Sequence, residues 1–169
     1  MLSDSELDSL FELSSGIGDS LVAKGQTITA VESCTAGGVA FALTMVPGSS
    51  EWFHCSFVTY TNQAKTDLVG IPEELFIAHG AVSLEVAAAM SQGAQKAALA
   101  DYSIAITGIA GPGGGSSDKP VGTVCFGWAA PDSAVSVERM LFAGDRKSIR
   151  IQSIHHALVR MLAIVKQDR

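Results

Sequence analysis

The chain has 169 residues, of which 47% are hydrophobic and 17% charged, enough to close a hydrophobic core, and a single domain over residues 1–169 is expected. Its formal net charge of −6 excludes a general nucleic-acid binder, which carries a basic excess. Three cysteines, Cys34, Cys55 and Cys125, show no C-x-x-C spacing, which excludes a disulfide framework and a zinc site and predicts buried thiols in a reducing compartment.

No apolar run reaches membrane-spanning length, and the acidic N-terminus lacks the basic and apolar regions of a secretory signal. A cytoplasmic protein with no membrane partner is expected. The charges are segregated: Met1 to Lys24 holds five acids and one lysine, whereas Arg139 to Arg169 carries seven of the eleven basic residues. An anionic small molecule could therefore find a basic corner.

In chain order, Ser3 followed by Glu6 fits a capping box, and Leu7, Leu10, Phe11, Ile17, Leu21 and Val22 form a helical stripe weakened near Gly16 and Gly18. Ile28-Thr29-Ala30-Val31 reads as a buried strand, and Val39 to Met45 as a helix. Between them Glu32-Ser33-Cys34-Thr35-Ala36-Gly37-Gly38 forms a turn. Such a turn exposes Ser33 at a sheet edge. The following helix offers free N–H groups suited to a phosphate, a carboxylate or a developing oxyanion. Gly37 and Gly38 allow close approach of a ligand or another backbone. Equally, Ser33 or Thr35 could simply cap the helix. The pattern is not G-x-S-x-G, since Val31 and Thr35 hold the glycine positions, so the hydrolase nucleophile elbow is not matched.

Pro47 to Ser50 breaks the chain before a strand that runs from Trp52 and Phe53 to Tyr60. Thr61 or Asn62 then caps a helix through Leu68, placing Lys65 near its positive end, where losing a proton becomes easier if the amine is also desolvated. Tyr60 could hold that amine or relay a proton; an exposed lysine beside a rim tyrosine is the plainer alternative. Gly70-Ile71-Pro72 ends the helix, a short turn follows to Phe76, and His79 falls in a loop. Ser83 caps an alanine-rich helix from Leu84 to about Ala100. Tyr102 to Thr107 is a strand that enters the glycine-rich run Gly108 to Gly115, which matches neither a P-loop nor a dinucleotide fingerprint. Val121 to Ala130 and Ala134 to Phe142 form a hairpin, and Asp145 caps a last helix that begins with Arg146, Lys147 and Arg150. A phosphate held between this helix and another would call for those cations. His155 and His156 are adjacent and do not suit a shared ligand. The order of elements predicts an α/β fold, a three-layer α/β/α sandwich around a mixed β-sheet.

Four separated stretches, AVESCTAGG at Ala30 to Gly38, VTYTNQAK at Val58 to Lys65, HGAVSLEV at His79 to Val86 and TGIAGPGGGSSDKPVGTV at Thr107 to Val124, with GDRKSIR at Gly144 to Arg150, carry a resemblance from about Leu7 to Val165. The chain resembles the C-terminal domain of CinA-type proteins, the nicotinamide-nucleotide amidohydrolase family. The resemblance implies hydrolysis of the carboxamide of nicotinamide mononucleotide without a cofactor or a metal, with Ser33 as nucleophile and Tyr60 and Lys65 as its partners. Backbone N–H groups at Cys34 and Thr35 are the expected oxyanion donors. Gly37 and the loop residues Thr107, Gly108, Gly111 and Gly113 are expected ligand contacts, and Arg146 the phosphate contact. A stand-alone protein assembling as a homodimer or higher oligomer is implied as well. Leu84 departs from the family's more polar choice on a helix surface. The competing reading is a non-catalytic nucleotide-binding module of the same fold.

Overall fold

A computed structural model describes residues 3–167. Among these residues six α-helices and five strands follow one another: α1 (Asp4–Lys24), β1 (Ile28–Glu32), α2 (Gly38–Thr44), β2 (Phe53–Val58), α3 (Asn62–Val69), α4 (Glu73–His79), α5 (Leu84–Ala98), β3 (Tyr102–Gly108), β4 (Thr123–Ala129), β5 (Ser136–Leu141) and α6 (Arg146–Gln167). The strands form one sheet in the order β2-β1-β3-β4-β5. β1 runs parallel to both β2 and β3, and the β3–β4 and β4–β5 pairs are antiparallel. The expected mixed sheet between two helical layers is therefore present.

Alternation along the central strands builds a core on each face. Ile28 and Ala30 of β1, Tyr102, Ile104 and Ile106 of β3, and Val124, Phe126 and Trp128 of β4 pack with buried residues of α1, α2 and α6. Val31 and Ala105 point the other way, toward Val69, Ile71, Val86, Met90 and Ala94. This second layer lies very close to the sheet because its residues are small. A Cβ on Gly127 of β4 would stand 2.4 Å from the carbonyl oxygen of Ala87 on α5, so glycine is required there.

The Ser3–Glu6 capping box forms, with Ser3 N–H donating to Glu6 Oε2 at 2.7 Å and Glu6 N–H to Ser3 Oγ at 3.3 Å. α1 is not interrupted at its glycines. Instead Gly18 makes room for the Trp52 ring, which a Cβ would meet at 2.7 Å. Thr61 caps α3, Ser83 caps α5, and Asp145 accepts Ser148 N–H at 2.8 Å in the first turn of α6.

Three local expectations are corrected. β2 stops at Val58, because its partner β1 ends at Glu32, whose carbonyl takes the last ladder bond from Thr59 N–H, and the chain then enters the cap of α3. His79 is the last residue of α4, not a loop residue, and its ring lies 3.6 Å from Glu85. Cys34 and Cys125 are buried as expected, whereas Cys55, on the edge strand β2, is only partly so.

The topology decides where a site can form. α2, which joins β1 to β2, and α5, which leads from the β2 side into β3, cover opposite faces of the sheet, so the carboxyl ends of β1, β2 and β3 open onto a crevice at the point where the strand order reverses. In open α/β sheets that crevice is where ligands bind.

Candidate active site

The turn after β1 is held from both sides. Ser33 N–H donates to Ile106 O of β3 at 3.0 Å, and Ala36 N–H closes back onto Ser33 O at 3.1 Å. Ala36 and Gly37 have positive φ, 51° and 89°, so the backbone curls and the N–H groups of Cys34, Thr35 and Gly37 enter no hydrogen bond among the described residues. Successive free N–H groups in such a curl make an anion-binding concavity. Neither Ser33 nor Thr35 caps α2; its N-cap is Gly37, which has no side chain to offer.

Glu32 does the capping, and nothing in the local sequence pattern announces it. Its side chain is fully buried. One carboxylate oxygen accepts Val39 N–H and the other Ala40 N–H, both at 3.0 Å. The free N–H groups at the start of α2 are thus already taken by a carboxylate of the chain itself. That end of the helix is not available to a ligand, which corrects the expectation drawn from the strand-to-helix turn.

Lys65 is 1% exposed, so the plain reading of an exposed lysine fails. Its Nζ lies 2.8 Å from Thr59 O and 3.3 Å from Ser33 Oγ, and it enters no ion pair among the described residues. Burial without a carboxylate partner holds its amine below the usual lysine range. Two polar neighbours suit the neutral amine: one N–H donates to Thr59 O, and the lone pair can receive the Ser33 hydroxyl proton. Cys34, next to the serine, is inert by comparison, because burial pushes its thiol up to about 11.

Tyr60 is exposed and its hydroxyl accepts from Arg146 Nη2 at 2.7 Å; the expected contact with the Lys65 amine is not what the structure shows. Arg146 Nη1 donates to Gly111 O at 2.8 Å, so this arginine ties α6 to Tyr60 and to the glycine-rich loop. From there a cleft of about 750 Å³ opens between the Ala36–Gly38 part of the turn and the first turns of α6. Arg146, Lys147 and Arg150 line it together with Phe41, Ile151 and Ile154. Arg150 Nη2 donates to Thr35 O at 2.8 Å, while its Nε is buried with no partner among the described residues.

The remaining loop residues are less directly placed. Thr107 is buried and its hydroxyl already donates to Ala81 O at 2.8 Å. Gly108 is packed against β4, where a Cβ would lie 2.9 Å from Val124 Cγ2. Gly111 supplies the carbonyl that holds Arg146, and Gly113 stands in open space. Among the described residues no group of three or more His, Cys, Asp or Glu side chains is spaced to hold a metal, and no helix is long and apolar enough to cross a membrane.

Comparison with known proteins extends over the whole fold. The chain is 48% identical over 157 residues to the nicotinamide-nucleotide amidohydrolase PncC of Escherichia coli (strain K12), covering 93% of each protein. It is 46% identical over 158 residues to the protein of the same name from Pseudomonas putida, covering 94% of this chain and 98% of that one. Its structure superposes on the crystal structure of a competence-damaged protein (CinA) superfamily member from Escherichia coli with a TM-score of 0.89, 35% identity and coverage of 97% and 94%. The competence/damage inducible protein CihA of Agrobacterium tumefaciens also gives 0.89, at 39% identity, over 94% of this chain and 96% of that one. With the CinA C-terminal domain matched over residues 10–165, the chain belongs to that family.

Proposed function

We propose that the protein hydrolyses the carboxamide of nicotinamide mononucleotide to nicotinate mononucleotide and ammonia, with Ser33 as nucleophile and Lys65 as its immediate base. The observation that carries the assignment is the buried Lys65 amine 3.3 Å from Ser33 Oγ, with its other contact a backbone carbonyl. The relatives named for this activity match the chain nearly end to end.

In this mechanism neutral Lys65 takes the Ser33 proton as Oγ bonds to the carboxamide carbon, and the carbonyl π electrons move to oxygen. The oxyanion is received by the Cys34 and Thr35 N–H groups, which compete with no other acceptor. The lysine ammonium then gives its proton to the amide nitrogen, the C–N bond breaks, and ammonia leaves an ester on Ser33. Water attacks that ester while Lys65 takes one of its protons. When the tetrahedral adduct collapses, Lys65 returns the proton to Ser33 Oγ and nicotinate mononucleotide is released.

Tyr60, whose oxygen is occupied by Arg146, keeps its own O–H to donate toward the substrate; its role is contact, not relay. The nucleotide phosphate is assigned to the cationic cleft, with Arg146 as first contact and Lys147 and Arg150 beside it. Ammonia release from nicotinamide mononucleotide, with chelator present, tests the reading: turnover abolished by Ser33→Ala and by Lys65→Ala is expected. Binding of the nucleotide without turnover by the unmodified protein would move the chain to a non-catalytic binding module.

A further inference from the structure

The cleft and the nucleophile turn are joined by one side chain, and the joint has a functional consequence. Arg150 sits one helical turn beyond Arg146 on the same face of α6. It reaches across the cleft to hold the carbonyl of Thr35, two residues from Ser33, at 2.8 Å. That carbonyl also accepts Gly38 N–H at 3.2 Å, so the guanidinium grips the curl that presents the Cys34 and Thr35 N–H groups. The curl is the strained part of the site, with Ala36 in the left-handed region at φ 51°, where a non-glycine residue is held only by its surroundings.

The grip is incomplete. The Arg150 Nε–H is buried and has no acceptor among the described residues, a state that costs about 1–3 kcal/mol for an ordinary buried donor. Three cations meet around this cleft with Asp145 the one acid lining it, and that carboxylate is occupied by Ser148 N–H at 2.8 Å and Ser148 Oγ at 2.7 Å. A dianion entering the cleft would pair with the guanidinium from the side that lines it and fix its plane. We infer that Arg150 is a positioning residue that couples occupation of the cleft by the substrate's phosphate to the geometry of the Ser33 turn.

This rests on the reading of the cleft as the phosphate site of a nucleotide amidase. It goes beyond that reading by assigning the phosphate a catalytic effect: its binding free energy appears in kcat and not only in KM, as expected when a remote group organises the reacting end. Arg150 touches neither the carboxamide nor Ser33; it acts through the Thr35 carbonyl. Because a misplacement of about 1 Å can cost roughly 10²-fold in rate, losing the phosphate should lower kcat by about one to two orders of magnitude.

The experiment compares kcat and KM, separately, for nicotinamide mononucleotide and for nicotinamide riboside, which lacks the phosphate, using the unmodified protein with and without inorganic phosphite dianion. The expected result is a lower kcat on the riboside, raised by phosphite. In Arg150→Met the kcat values for the two substrates converge and phosphite no longer stimulates; Arg150→Lys keeps the charge but cannot hold the carbonyl and an anion together, and does not restore the difference. Equal kcat for the two substrates in the unmodified protein, with the whole difference in KM, overturns the coupling while leaving the amidase reading intact. So does an Arg150→Met protein that changes KM alone. Absence of ammonia from the mononucleotide in the unmodified protein overturns the amidase reading, and the coupling with it. The first comparison needs no variant, so a failure of Arg150→Met to fold does not protect the inference.

Discussion

Glu32→Gln replaces a single heavy atom and tests how the nucleophile turn is held. In the native chain each carboxylate oxygen accepts one N–H from the start of α2, Val39 and Ala40, at 3.0 Å. The amide replaces one of those acceptors by an NH₂ that must face a backbone N–H, donor against donor, in a fully buried position. A hydrogen bond to a charged acceptor is worth about 1.5–3 kcal/mol, and the unmatched donor adds a desolvation cost, so a loss of about 3 kcal/mol is expected. For a protein of this size that lowers Tm by about 6–12 °C. Relaxation of the start of α2 would also shift Ser33, which directly follows Glu32, and a movement near 1 Å corresponds to about a 10²-fold fall in kcat. The assays are thermal unfolding followed by circular dichroism and steady-state ammonia release. A Tm within about 2 °C of the native value together with an unchanged kcat would refute the view that Glu32 fixes the turn.

Lys65→Met should stabilise the protein near neutral pH, because burial lowers the amine's pKa from the ordinary 10.5. The unfolded chain then holds the proton more tightly, so the penalty of the native lysine is greatest below its folded pKa and fades as pH rises toward 10.5. Urea unfolding of both proteins as a function of pH should show the variant's advantage shrinking in that direction. For the same reason kcat/KM of the native protein should rise with pH through a midpoint below 10.5, an acid limb absent if the lysine is not the base. Leu99→Gly should stabilise by about 1 kcal/mol: the residue caps α5 at φ 52° and is 90% exposed, so it loses strain and little contact. Gly127→Ala should destabilise by at least about 1–3 kcal/mol, measured by denaturant midpoint, since the added Cβ meets the Ala87 carbonyl at 2.4 Å and one backbone must move.

What the sequence made legible was what depends on short-range pattern. The change from β-branched residues at Ile28–Val31 to the helical run at Val39 placed Ser33 at a strand-to-helix turn, and the Ser3, Thr61, Ser83 and Asp145 caps were visible because each bonds an N–H three residues ahead. Glu32 escaped because its partners lie seven and eight residues away and meet it only once the turn has curled through Ala36 and Gly37. Tyr60 escaped in a different way: its hydroxyl is taken by Arg146, 86 residues later, a contact set by how α6 lies across the sheet ends. Thr107 looked like a ligand residue at a strand end, yet its hydroxyl answers a local need, the carbonyl of Ala81. The resemblance to the family supplied the pairing of Ser33 with Lys65; the residues alone gave two separate signals on two different strand ends.

The way Lys65 is held bears on the chemistry proposed for it. In a serine–histidine–aspartate triad the residue that orients the base is a carboxylate, which also stabilises the charge the base acquires. Here the orienting group is the neutral backbone carbonyl of Thr59, 2.8 Å from Nζ. A carboxylate at that place would favour the ammonium and keep the lysine protonated near neutral pH, defeating it as a base before the reaction begins. A carbonyl fixes direction and leaves desolvation free to lower the pKa, which is the combination a lysine base requires. The carbonyl must itself be held still, and it is: Thr59 N–H donates to Glu32 O at 2.8 Å. Glu32 therefore fixes the nucleophile's turn through its side chain and the base's anchor through its backbone. Only the first of these can be removed by substitution, so Glu32→Gln should misplace Ser33 while leaving the pKa of Lys65 and the acid limb of the pH profile where they were.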